Sequence, residues 1–184
     1  MGDKHEYTDG KGVKFTVRYT PPYPWEGETD RLEFNHAGFK CKVLRMPDGG
    51  HLNGYVYVKD HPDILDLPWV DVDALPCHGG ITGSCGEGWI GFDCGHCDDT
   101  WPRHYIGHLN TMLWGDFAFV GREAYVGWLN KDTYRDLAYV RKSTEGLAEA
   151  LQKAWKKRKT SPVRYAAWLR NRRLNGKKKP REQR

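Results

Sequence analysis

The sequence predicts an α+β fold, an antiparallel β-sheet core with C-terminal helices. Short runs with period-two alternation, bounded by turn residues, fill the first half. After about Thr133 the apolar spacing changes to three and four. Strands followed by helices, rather than strands alternating with them, point to a sheet with a helix packed on one face. The competing arrangement is a small β-rich core with the last helix undocked.

Residues 1–12 read as a frayed terminus. In VKFTVRY, Val13, Phe15 and Val17 share one face and Lys14, Thr16 and Arg18 the other, a half-buried strand. TPPYPWEGETD ends it, because three prolines cannot join a central ladder. GFKCKVLRM and GYVYVKD are the next two strands, joined by the turn chemistry of PDGGHLN. PWVDVDAL alternates again, with Val70 and Val72 opposite Asp71 and Asp73, and GWIGFDC is a fifth strand candidate. Thr133 with Asp136 fits a weak capping box. Leu137, Val140, Thr144, Leu147, Leu151 and Ala154 then form the apolar face of one helix ending near Lys159. Ser161 and Pro162 start a second helix, whose face is Val163, Ala166, Ala167, Leu169 and Leu174. From Gly176 onward the chain is expected to be disordered.

The 184 residues suffice for one core, and 13% aromatic content with eight tryptophans excludes a disordered chain. We expect a single α+β zinc-binding domain over 1–160 and a basic helix and tail over 161–184. No apolar run approaches the roughly 20 residues that span a bilayer. The polar start MGDKHEYTDGKG carries no signal segment, which predicts a cytoplasmic protein with reduced thiols and no membrane partner. The odd count of five cysteines also argues against full disulfide pairing.

Charge is unevenly placed. Lys153–Arg184 holds 14 Lys and Arg against one acid, Glu182, so it carries +13 and residues 1–152 carry −8. A basic segment of this kind is either a solvated solubility tail or a contact for a polyanion such as nucleic acid.

The stretch CHGGITGSCGEGWIGFDCGHCDD, Cys77 to Asp99, holds four of the five cysteines, two of the eight histidines and three aspartates. Zinc takes thiolate and imidazole ligands, usually four in a tetrahedron. CGHC offers Cys94, His96 and Cys97, with Gly95 free to turn tightly. Cys77 and His78 sit beside the flexible GGITG. The pattern is not a pair of Cys-x-x-Cys knuckles, and the alternative is a set of buried reduced thiols. No P-loop, dinucleotide fingerprint, nucleophile elbow or HExxH arrangement is present. Trp101, Tyr105, Trp114, Phe117, Phe119, Tyr125 and Trp128 read as core rather than as a platform for stacked bases.

HGGITGSC…GWIGFDCGH, followed by YRDLAYV, resembles a group of uncharacterised bacteriophage and prophage proteins over roughly positions 54–152. Their shared core reads HGGIT or HGGLT, then WIGFDCAH, an acid, and a YVxxE-like helix. The resemblance implies that His78, Cys94 and His96 are the common group, with Asp99 at the acidic position. Cys77, Cys85 and Cys97 depart from that pattern. Taken together, the cluster and the resemblance give His78, Cys94, His96 and Cys97 as zinc ligands, with Asp99, Cys85 or water as alternatives to Cys97. Four protein ligands would make the site structural; three plus water would make it catalytic.

Two functions follow as expectations. One is a phage-type accessory protein with a structural zinc that binds a host protein or nucleoprotein complex, for example as an anti-CRISPR inhibitor of host defence. The acidic clusters EGETD (26–30) and DHPDILD (60–66) would supply its surface, and the basic C-terminal segment a direct contact to nucleic acid. The other is a zinc-dependent hydrolase, with Asp93, Asp98, Asp99 or Glu87 orienting an imidazole or acting as general base. Cys94–His96 nucleophilic chemistry is a third option, closed if zinc holds the thiolate.

Overall fold

The computed structural model describes residues 5–8, 11–61, 63–114, 126 and 132–174. Its architecture is α+β, with two antiparallel sheets and three helices among the described residues. The small sheet pairs β1 (His5–Thr8) with β2 (Lys14–Val17). The expected frayed terminus therefore holds a strand, because β2 offers a ladder that residues 5–8 can join. The larger sheet is a meander in the order β3 (Arg31–His36), β4 (Phe39–Arg45), β5 (Leu52–Tyr57), β6 (Trp89–Asp93). The β3–β4 hairpin pairs His36 with Phe39, so Ala37 and Gly38 form a two-residue turn, both at positive φ. Such a turn matches the right-handed twist of the strands it joins.

Alternation decides what each strand buries. β4 turns Phe39, Cys41 and Val43 inward, β5 turns Leu52 and Val56, and β6 turns Phe92. Helix α1 spans Pro102–Trp114, α2 Leu137–Thr160 and α3 Pro162–Leu174. α2 lies on β4 and β5 through Val140, Thr144, Leu147, Ala148 and Leu151. Each fully buried Val or Leu on that face contributes roughly 1.5–3 kcal/mol relative to exposure. Gly54 permits the close approach, since a Cβ there would collide with the Thr144 hydroxyl and the Phe92 ring.

A second cluster joins α1 to the small sheet through Phe15, Val17, Tyr105 and Leu109. The Tyr105 hydroxyl accepts from the Tyr19 N–H at 2.9 Å, and the Tyr134 N–H donates to the Tyr19 hydroxyl at 2.9 Å. Arg45 donates to Glu28 at 3.0 Å and to Asp30 at 2.7 Å, which ties the segment before β3 to the sheet.

Two local expectations change, and the competing arrangement of an undocked last helix does not hold. PWVDVDAL is a series of turns, not a strand. It follows a short 3-10 helix, Ile64–Asp66, whose Ile64 is buried with Leu67, and the Trp69 indole N–H donates to the Ala154 carbonyl at 2.9 Å. The segment is anchored by side chains instead, with Trp69 also against Tyr165 of α3. The N-cap of α2 is Asp136, whose carboxylate accepts from the Tyr139 N–H at 2.7 Å. Thr133 is taken by a bridge to Asp99 instead. The last helix is docked, with Tyr165 and Trp168 on the main core and Arg172 paired to Asp63 and Asp66 at 2.7 and 3.2 Å. The tail from Gly176, and Phe117, Phe119, Tyr125 and Trp128, lie outside the described residues. Among those that are described, no helix is long and apolar enough to cross a membrane.

Candidate metal centre

His78 sits in a turn before β6 and is held by the first turns of α2. Tyr139 and Ser143, four residues apart, share a helix face. The Ser143 hydroxyl accepts from the His78 N–H at 3.0 Å, and the Tyr139 hydroxyl lies 3.0 Å from His78 Nδ1. That leaves Nε2 pointing the other way, 2.8 Å from Asp99 Oδ2.

His96 and Asp99 come from the turn after β6, closed by the Asp99 N–H donating to the His96 carbonyl at 3.0 Å. The His96 N–H donates to Asp99 Oδ2 at 3.1 Å, and His96 Nδ1 lies 3.3 Å from the same oxygen. Gly79, at positive φ, passes so close to the His96 ring that a Cβ would collide with it. Glycine here lets the two histidines approach, with ring centroids 5.1 Å apart.

Asp99 is the hub. Its side chain is 1% exposed, and its other oxygen accepts from Arg135 Nε at 2.8 Å. Burial alone would raise this carboxyl. Hydrogen bonds from Arg135, His78 and the His96 N–H outweigh burial and hold it below the usual carboxylate range. Asp93, 3.9 Å from His96 Nδ1, is likewise held low against burial by hydrogen bonds from Thr82 and the Gly95 N–H.

Ligand atoms of His78, His96 and Asp99 lie within 4.8 Å of one another, and among the described residues no fourth His, Cys, Asp or Glu joins them. Two imidazole nitrogens and a carboxylate oxygen can hold a metal ion and leave coordination positions open. The expected ligands are thus only partly brought together. Cys94 is 1% exposed and belongs to the main core, because it shares parity with inward-facing Phe92. Burial, then the nearby Asp99 charge, pushes its thiol far above the usual thiol range. Cys97 is exposed at the mouth of the adjoining cleft, and Cys85 lies apart from the group. All five cysteines are free thiols. Glu87 pairs with Lys59 at 3.2 Å on the surface.

The cleft has a volume of about 360 Å³ and is lined by Gly95, His96, Asp99, Trp101, His104 and His108. Trp101 lies between His51 and His104, with ring centroids 4.9 and 4.8 Å away. Burial lowers the pKa of His108 on this wall and of His51 beside Trp101, which favours neutral imidazoles at both. Arg135 and Tyr139 were missed as site residues, although both fall in YRDLAYV, and α1 was missed as a helix. Its periodic apolar positions reduce to little more than Tyr105 and Leu109.

The site defines a two-histidine, one-carboxylate group able to hold a metal ion beside an open cleft. Compared with models of known protein families, with curated proteins and with solved structures, the chain matches none.

Proposed function

We propose that this chain is a zinc-dependent hydrolase whose ion is held by His78, His96 and Asp99. The observation that carries the reading is the three-donor group, open toward the cleft and, among the described residues, without a fourth protein donor. A zinc ion in such a group lowers the pKa of bound water to about 7, which supplies a nucleophile at neutral pH. Tyr139 fixes which His78 nitrogen faces the ion, and Arg135 keeps the Asp99 carboxylate ionised and oriented. Asp93, ionised and beside His96, orients that ring or takes a proton from the attacking water. The resemblance to phage and prophage proteins supports the reading in part: it names His78, Cys94 and His96 with the acid Asp99, and three of these four form the group, Cys94 lying in the core.

The competing reading is a structural zinc in an accessory protein that binds a host macromolecule. It draws on the basic C-terminal helices. Part of its acidic surface is paired within the chain, Glu28 and Asp30 with Arg45 and Asp63 and Asp66 with Arg172, although Asp30 and Asp66 stay mostly exposed.

Metal analysis of protein purified without chelator, with turnover of 4-nitrophenyl acetate and bis(4-nitrophenyl) phosphate, tests the proposal. We expect a single zinc per chain and turnover of one probe, both lost in His78→Ala and His96→Ala. Zinc without turnover leaves the structural reading standing. Protein that binds no zinc on titration overturns both.

A further inference from the structure

A second cavity, of about 260 Å³, lies between the β3–β4 turn and the last turns of α2. Phe39, His61 and Trp155 form its floor, and Lys156, Arg158 and Lys159 its rim. The His61 ring is wedged between Trp155 and Phe39, with centroids 4.5 and 5.3 Å away. The Arg158 guanidinium lies 3.7 Å above the Trp155 ring and donates to the Trp155 carbonyl at 2.7 Å. Lys156 Nζ donates to Gln152 at 2.9 Å, and Gln152 donates to the Ala37 carbonyl at 2.7 Å. These contacts fix two of the three cations in place without neutralising them.

The surrounding charge is one-sided. From Lys153 to Leu174 there are nine Lys and Arg and no acid. Among the described residues, Arg172 is the one cation of this stretch that meets carboxylates. Elsewhere the fold uses its acids to neutralise buried cations, at Arg45 and Arg135. Here it gathers cations around a groove at a cost in mutual repulsion, which a ligand of repeating negative charge would relieve.

We infer that this groove and the exposed cations beside it bind the phosphate backbone of a nucleic acid. Lys156, Arg158 and Lys159 meet the phosphates, above an aromatic floor already covered by the Arg158 guanidinium, so the contact is to the backbone rather than to the bases. The inference stands apart from the metal reading. Residues 139 and 157 are separated by about 27 Å along the axis of α2.

The test uses the full chain, a fluorescein-labelled single strand of DNA, the matched RNA and the duplex, followed by anisotropy. For a single strand with roughly four phosphates neutralised, affinity falls about 50-fold between about 50 and about 200 mM salt. Lys156→Glu combined with Lys159→Glu should lower affinity by about tenfold or more at the lower salt and lower the melting temperature by at most a few degrees, because both side chains are exposed and the new carboxylates oppose the dipole at the end of α2. His78→Ala should leave affinity intact, which separates this outcome from that of the metal site. No binding at the lower salt overturns the inference. So does unchanged affinity in the double variant, or a loss seen only on deleting residues 175–184, which assigns the contact to the tail. Equal competition by polyglutamate overturns it in favour of an acidic protein partner.

Discussion

The two ends of α2 solve opposite problems. At the N-terminal end the polar groups of the site pair with one another: Asp136 caps the helix, Tyr139 and Ser143 hold His78, and Arg135 holds Asp99. At the C-terminal end, cations crowd around a groove that contains no acid. The first arrangement fixes a small group of atoms in one geometry, as a metal site requires. The second leaves charge uncompensated, as a polyanion surface requires. One helix thus carries preorganisation and unspent charge about 27 Å apart, and its buried middle turns make both depend on the same core.

The comparison is broken most severely at Asp99. Asp99→Ala leaves Arg135 and the His96 N–H without the carboxylate they share, in a site that is only partly exposed. We expect a loss of about 3 kcal/mol in stability together with loss of bound metal, read by chemical denaturation and metal analysis. A variant that keeps its metal and its stability would mean that Asp99 is neither ligand nor hub. The groove should be untouched, since distant sites without shared partners act independently.

Tyr139→Phe sharpens the comparison. It removes only the hydroxyl facing His78 Nδ1, from a side chain that is 40% exposed. Metal affinity should fall about tenfold, with little change in metal-free stability. Competition against a chelator of known zinc affinity measures the first and thermal melting the second. Equal affinity for the two proteins would show that the helix does not set the orientation of His78.

The smallest effect is at the cap. Asp136→Ala removes the acceptor for the Tyr139 N–H and should cost about 1 kcal/mol, a drop of roughly 2–4 °C in Tm. Thr133→Ala should not reproduce it, because Thr133 does not cap the helix. Matched losses in the two variants would restore the capping box that the sequence suggested.

Part of the site was legible in advance. His78 and His96 stand in a run of residues rich in Cys and His, and Asp99 was among the alternatives for the remaining ligand. The cysteines misdirected the reading because density along the chain does not say which way a side chain points. Cys94 follows Phe92 by two residues in the same extended run, so it shares the inward face. Cys97 sits within the His96–Asp99 turn and reaches the surface.

The sequence by itself determined the strands at Phe15, Cys41, Tyr55 and Phe92, the long helix over 137–160, and the Ser161–Pro162 break. Each is written in local periodicity or backbone chemistry: two for a strand, 3.6 for a helix, a missing N–H at proline. Only the tertiary structure decided that Arg135 would meet Asp99 across 36 residues, or that Ser143 would meet His78 across 65. It also decided that PWVDVDAL would be held through Trp69 against α2 and α3 rather than by a strand partner. These outcomes depend on where α2 crosses the sheet. That crossing is set by packing of Thr144 over Gly54 and Leu147 in the core, contacts that no short window of sequence contains.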